Sequence, residues 1–562
     1  MNNASLELGG TNWAEKDGNI LGYSVGDTSG KYSPQEFTFA RGSNLSATRI
    51  DRAGLIVKGR ENQILHSNGF SNSVYFKTFS SVTSGQSGYD SSNDAWLYQS
   101  TGGGASYFYQ SQTITQIKTR SIYAKAGTQS TITFLWDSFN NNEFATFDLS
   151  SGTFTNAGCL ASMESVGGGW YRCSTTITDA SNGYAFLISL SNETGVALQS
   201  GSNIYIQDAQ QEAGLAASPY IETTTTTAQA GVLENTPRLN YTTGVANPYL
   251  LLEPSRTNLF SQSEYIESLF IISGGSFTAN YGASPEGYNN SVRVQATSLT
   301  TSHFYYAINL TAGTQYAISC YYKGTSGEKA NLRAISTSGG ASANNLITFN
   351  GSWQRETILF TAGTAANYVY VYDARAGNST ATDFEVFGFQ VEAGSYPTSY
   401  IPTYSVSATR AQDVCNKLDA SDLIGTEFTL FFDGYQSIES QYSRYIVLKG
   451  TGGTYVNFIS IETNPNNQVA VNVNTGSSVF IATTQRTSGE RLKMALRCKD
   501  NDFAFYINGV LIKSQTSGSV PVTSDLYLGY YTDYAENYNV INQTQIYKEA
   551  LTDAELATLT TI

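Results

Sequence analysis

The 562-residue sequence predicts an all-β protein of tandem antiparallel β-sandwiches, two of them jelly rolls and a third of a different kind. Three observations predict this. The first is composition. Aromatics make up 13% of the chain, with 39 Tyr and 28 Phe, alongside 51 Gly, while charged residues reach only 14%. The average globular protein has roughly 25% charged residues. Tyr, Phe and Thr fit pleated, half-buried surfaces. Gly, Asn and Ser fit the turns between short strands. Second, short runs alternate apolar and polar residues: TITFLWDSF, YAFLISLS, NYVYVYDAR and FEVFGFQVE. Clusters such as TGGGAS, VGGGW and STSGGASANN separate them, the pattern of a sandwich or jelly roll.

The third observation is an internal repeat. YIQDAQQEAGLAASPYIETT and VFGFQVEAGSYPTSYIPTY share a frame: Gln210, Glu212, Ala213 and Gly214 match Gln390, Glu392, Ala393 and Gly394. Tyr220 and Ile221 match Tyr400 and Ile401. Earlier landmarks keep the same order: ENQILHSNGF with RTNLFSQSEY, SIYAKAGT with SCYYKGTS, and GGGWYRCSTTIT with NGSWQRETILFT. A fixed order of four landmarks marks two homologous domains.

Residues 1–61 read as an N-terminal strand or attachment segment, with FTFARGSNLSATRIDRAGLIVKG forming two short strands around a turn. Residues 62–224 are jelly roll 1, 225–255 an ordered connector holding Pro237, Pro248 and Pro254, and 256–409 jelly roll 2. Residues 410–562 form the third sandwich. Its YING at Tyr506–Gly509 predicts a hairpin, and Thr552 or Asp553 caps its one helix over AELATL.

The net charge of −14 argues against nucleic acid, which needs clustered Lys and Arg. Acidic loops could hold Ca²⁺, but no cofactor is read from the sequence and no metal ligand is assigned. The five Cys form no CxxC pair and read as free, mostly buried thiols of a chain folded in a reducing cytoplasm. The N-terminus lacks the features of a signal peptide. No apolar run is long enough to insert in a membrane.

The stretches FTFARGSNLSATRIDRAGLI, PRLNYTTGVANPYLLLEPSRTNLFSQSE and GFQVEAGSYPTSYIPT resemble junctions and closing strands of tailed-bacteriophage virion proteins. In these, an LLEPxRTN phrase leads into a carbohydrate-binding-module-like jelly roll. The first copy departs from that pattern, with ENQILHSNGF at its start. The third sandwich, through FAFYINGVLI, LYLGYYTDY and IYKEALTDAEL, resembles the laminin-G-like branch of the concanavalin A-like superfamily. The resemblance implies a virion surface protein: a head fibre, decoration or tail-fibre component. It would be made in the host cytoplasm, trimerise with itself, attach to capsid or tail, and meet cell-surface glycans. A capsule-degrading spike enzyme and a bacterial surface adhesin are the alternatives.

Catalytic chemistry finds little footing. His66 and His303 are the only histidines and share no triad-like context. Asp433 and Glu427 flank one strand without the paired-carboxylate motif of concanavalin-like hydrolases. The reading is a non-enzyme with no catalytic residue. Glu212 and Glu392 read as acceptors for backbone donors at a turn, rather than as ligand contacts. Sugar binding stacks aromatic faces on C–H surfaces beside amides and carboxylates. The turn-rich YYTDYAENYN nominates Tyr531, Asp533, Tyr534 and Tyr538 as glycan contacts. ASYFYQS (Tyr107, Tyr109) and HFYYA (Tyr305, Tyr306) have a similar composition, but as strands they should bury about half their aromatics.

Overall fold

The structure, a computed structural model, describes all residues except 1–3, 11–12, 17–18, 26–31, 44, 112–115, 137–138, 140–142, 179–184, 338–341, 437–441 and 530–537. It is a chain of antiparallel β-sandwiches. No helix among the described residues is long and apolar enough to cross a membrane.

Both copies of the repeat fold as two facing sheets. In copy 2 one sheet runs Gln354–Thr361, Gln315–Gly324, Asp383–Ala393, Val292–Ala296 and Gly275–Thr278. The other runs Ser342–Thr348, Lys329–Ser336, Asn367–Asp373, His303–Ile308 and Ile271–Ser273. Copy 1 has the same order: Trp170–Ile177, Lys118–Ala126, Asn203–Ala213, Ala95–Ser100 and Ser80–Gln86 in one sheet. Its second sheet runs Phe144–Asp148, Thr131–Leu135, Ala185–Ser189, Tyr107–Ser111 and Phe76–Thr78. Copy 1 adds Thr153–Ala157 and Leu160–Gly167, which extend one edge of each sheet.

The long closing strand carries a bulge at one place in both copies, between Ser121 and Tyr123 in the partner register of copy 1 and between Ser319 and Tyr321 in copy 2. The extra residue flips the side-chain parity. Phe384 and Val386 face the core before it, Phe389 and Val391 after it. Copy 2 places Gly388 there at φ +66°, whereas copy 1 places Asp208 at φ +54°. A side chain in that backbone region costs free energy that glycine does not.

Asp208 is buried and accepts a hydrogen bond from Tyr89 Oη at 3.0 Å. Burial above all, with Asp94 and Asp90 nearby, pushes its carboxyl up to about 7 from 3.8. The folded state then holds that proton more tightly than the unfolded chain. Stability is therefore full below the ordinary carboxylate range and falls as pH rises toward 7. Asp208→Asn keeps a residue tolerant of this backbone and removes the charge. Urea unfolding should show the variant equal to wild type at pH 4, and about 1–2 kcal/mol more stable at pH 8.

One hydrogen-bonded clasp closes each copy. Asn258 Nδ2 donates to Phe389 O and Ile401 O, and its Oδ1 accepts from Phe260 N and Val391 N. Asn62 repeats this with Ala209, Ile221, Ile64 and Gln211. The Ser263, Thr403 and Tyr400 trio of copy 2 recurs as Ser67, Thr223 and Tyr220. The clasp aligns Asn62 with Asn258, one residue off the alignment of the two phrases by their first letters. Glu212 Oε1 accepts from Ser218 N at 2.8 Å, and Glu392 Oε1 from Thr398 N, so both conserve the turn after the last strand.

Sheet pairing cuts across the order of the chain. The strand Asn539–Tyr547 pairs on one side with Phe428–Tyr435. Its other side is covered in two halves, by Leu6–Gly9 over residues 543–546 and by Tyr249–Leu252 over residues 539–541. The strand Tyr32–Arg41 pairs with Asn19–Val25 in one sheet and with Asp413–Lys417 in the other, forming a corner between them. The core of the last sandwich accordingly includes Leu6, Leu8, Ile20, Phe37, Phe39, Leu250 and Leu252 with residues 415–546. Reading 1–61 as an attachment segment and 225–255 as a connector leaves out this pairing. Gly9 sits at φ +88°, where a Cβ would lie 2.5 Å from Asn542 O.

The YING turn forms as expected, with Asn508 and Gly509 at φ 49° and 82° between paired strands. Thr552 caps the helix Asp553–Thr560 in a reciprocal capping box with Glu555. All five cysteines are free, four of them buried.

Two buried charge clusters sit between modules. Asp413 receives Arg41 at 3.0 Å and also Arg238. Glu253 receives Arg238 at 2.5 Å and Arg410 at 2.9 Å. All five side chains are 0% exposed. Separately, Lys58 from the hairpin Thr48–Ile50/Ile56–Lys58 reaches Glu264 at 2.6 Å and Glu286 at 2.8 Å in copy 2.

Candidate functional site

Of the nominated glycan contacts, Tyr531, Asp533 and Tyr534 lie outside the described residues. Tyr538 is half-buried at the junction of copy 2 with the last sandwich, its ring 5.5 Å from that of Tyr396. It lines a 140 Å³ cleft with Glu253, Tyr321, Arg355 and Tyr400. Burial first, then the Glu253 carboxylate, raises its phenol.

The two acids singled out near the last sandwich's strand each face a cation. Asp433 takes Arg491 through two hydrogen bonds of 2.7 and 2.6 Å, and Glu427 takes Lys499 at 2.7 Å. His66 lies in the clasp of copy 1, where its backbone N–H donates to Thr224 O. Among the described residues no group of three His, Cys, Asp or Glu is placed to hold a metal ion.

Aromatics gather instead on the outer face of one sheet in each copy. In HFYYA, Phe304 enters the core, Tyr306 packs against it, and Tyr305 points outward. The neighbouring strand NYVYVYD sends Val369 and Val371 into the core and leaves Tyr368 and Tyr370 on the face with Tyr305. Tyr305 lies 5.7 Å from each of them, centroid to centroid, and His303 stacks on Tyr305 at 5.6 Å. Tyr370 is buried as a floor, while Tyr305, Tyr368 and His303 are half-exposed. Ile271, opposite Tyr305 on the edge strand, is 53% exposed.

Polar groups rim one end. Asp373 Oδ1 accepts from Arg375 N and Nε, at 3.1 and 2.8 Å, in the short turn Ala374–Ala376. Asp373 Oδ2 accepts from Arg333 NH1 at 2.8 Å. The Arg375 guanidinium lies 5.4 Å above the Tyr370 ring. The arrangement offers flat apolar rings beside fixed hydrogen-bond donors.

Copy 1 carries a related face. Tyr107 and Tyr109 point outward at a ring spacing of 6.4 Å, and Phe76, 55% exposed, stacks on Tyr109 at 5.1 Å. Phe108 between them is in the core. The alternation expected of ASYFYQS and HFYYA is what forms. Sequence reasoning missed Tyr368, Tyr370, Arg333, Arg375 and Asp373. The period-two spacing of NYVYVYDAR held the signal, because Val at alternate positions marks the buried side.

Fold and site together define a class: a tandem β-sandwich protein presenting aromatic sheet faces. No protein-family model matches the chain, and no curated protein matches it. Among solved structures it is similar to the CBM40 of the Ruminococcus gnavus IT-sialidase bound to α2,3-sialyllactose, with TM-score 0.23 and 15% identity over 25% of this chain and 84% of that one. It is similar to the CBM22-1–CBM22-2 tandem domain of Paenibacillus barcinonensis Xyn10C, with TM-score 0.21 and 9% identity over 63% of this chain and 100% of that one. Mouse laminin α1 domains LG4-5 match with TM-score 0.19 and 11% identity over 46% and 89%.

Proposed function

We propose that the chain is a non-enzymatic glycan-binding protein whose second jelly roll holds saccharide on the Tyr305–Tyr368–Tyr370 face. The observation that carries this is a cluster of outward tyrosines on a sheet whose other side is core. Such rings stack on sugar C–H faces, while adjacent fixed donors meet hydroxyls. The wider role is a tailed-phage virion surface protein, a homotrimeric head fibre, decoration or tail-fibre component that attaches to host or environmental glycans. The LLEPSRTN and QVEAGSYPTSYIPT phrases support that role. Ca²⁺ dependence and the Tyr531, Asp533, Tyr534 and Tyr538 loop belong to the same reading as a second contact region.

A glycan array probed with the full chain, with and without Ca²⁺, tests it. Tyr305→Ala with Tyr368→Ala should lower affinity for the bound glycans by about 100-fold, since each stacked ring contributes on the order of 1–1.5 kcal/mol. The melting temperature should stay near that of wild type. Binding to no glycan contradicts the proposal, and release of reducing ends from a host polysaccharide contradicts its non-enzymatic part.

A further inference from the structure

The rim of the copy 2 face has a charge that the rest of the chain does not lead one to expect. The protein carries a net −14. Yet Arg333 and Arg375 stand together beside the tyrosines, their side chains 26% and 40% exposed. The carboxylate that holds both, Asp373, is 0% exposed and lies beneath them. Two guanidinium groups against one carboxylate leave the exposed rim positive. Asp373 also fixes Arg375 through its backbone N–H and Nε, so the guanidinium over Tyr370 is set in place before any ligand arrives.

The copy 1 face differs in this respect. Across from Tyr107 and Tyr109 lie Ser189 and Leu187, then Thr133 and Leu135, all four buried. Beyond them Thr146 Oγ1 meets Glu193, an acid, at 3.5 Å. The related faces therefore offer similar rings with different polar rims.

We propose that the second jelly roll selects a saccharide bearing a carboxylate, such as a uronic or sialic acid unit. Its ring would lie on Tyr305 and Tyr368, and its carboxylate would meet Arg375 and Arg333. This rests on the sugar-binding reading above and adds to it the class of sugar. A planar guanidinium matches a carboxylate with two parallel hydrogen bonds, which a neutral hydroxymethyl group cannot accept. A rim of this kind also makes binding of the acidic sugar depend on ionic strength.

The test titrates the full chain by calorimetry with two matched pairs: tetragalacturonate against its carboxyl-reduced form, and 3′-sialyllactose against lactose. The acidic member of at least one pair should bind ten-fold or more tighter at low salt, with the gap narrowing in added salt. Arg333→Ala with Arg375→Ala should close that gap and leave the weaker neutral binding in place. Equal affinity within both pairs, or a gap that survives the double substitution, overturns the proposal. Neutral sugars that still bind in a Tyr305-dependent way would then leave the aromatic face intact as a site, whereas loss of all binding would remove both.

Discussion

A chain lacking residues 1–43 is expected to lose the C-terminal sandwich as a folded unit. Leu6, Leu8, Ile20, Phe37 and Phe39 are each no more than 2% exposed, and all belong to the core built by residues 415–546. Burying each such side chain stabilises by about 1.5–3 kcal/mol, so their loss together costs on the order of 10 kcal/mol. That is comparable to the whole net stability of a domain, about 5–15 kcal/mol. Deletion also bares the ladder edge of Asn539–Tyr547 over residues 543–546. An unpaired ladder edge, with its row of free N–H and C=O groups, is a template for aggregation. Circular dichroism and light scattering should show an early-melting, aggregating C-terminal part beside jelly rolls that melt as before. Supplying residues 1–43 as a separate peptide should restore part of the transition.

The second large effect lies in the buried Arg41, Arg238, Glu253, Arg410 and Asp413 cluster. Its members come from the N-terminal corner strand, the connector, the end of copy 2 and the strand Asp413–Lys417 of the last sandwich, so the cluster ties the modules together. Glu253 also accepts from Ser399 N at 2.7 Å and Ser399 Oγ at 2.6 Å. Burial alone would raise its carboxyl, but Arg410 and Arg238 overcome that and hold it down to about 2. Glu253→Ala leaves three buried guanidinium groups facing Asp413 alone. Removing one partner of a buried pair typically costs about 3–5 kcal/mol. Urea unfolding at pH 7 should show a loss of that size. The contribution of Glu253 is present above the ordinary carboxylate range and is lost as pH falls toward 2. The gap between variant and wild type should therefore shrink in acid.

Much of the fold was legible because sandwiches write their periodicity into sequence. The repeated Q-x-E-A-G frame located the closing strand of both copies, and the structure shows why it recurs. Gln210 and Gln390 hold Ile221 N and Ile401 N, and the glutamates hold the next turn. The YING hairpin and the capped helix were legible for local reasons: turn chemistry and cap spacing need no distant partner. The pairing of the first strand with the last was not legible. A strand of four residues has no local sign of which partner it will meet, and Leu6–Gly9 meets one more than 500 residues away in sequence. The candidate site was half legible. Alternation separated Tyr305 from Phe304, but nothing in one strand announces that Tyr368, Tyr370 and Arg333 lie alongside it across the sheet.

The most direct test of the account is a crystal structure of the full chain soaked with the glycan that binds best on the array. Sugar density should lie on the outer face formed by Ile271–Ser273, His303–Ile308 and Asn367–Asp373, with a pyranose ring against Tyr305 or Tyr368. Density confined to another surface, or none at a saturating concentration in an open lattice, would contradict it.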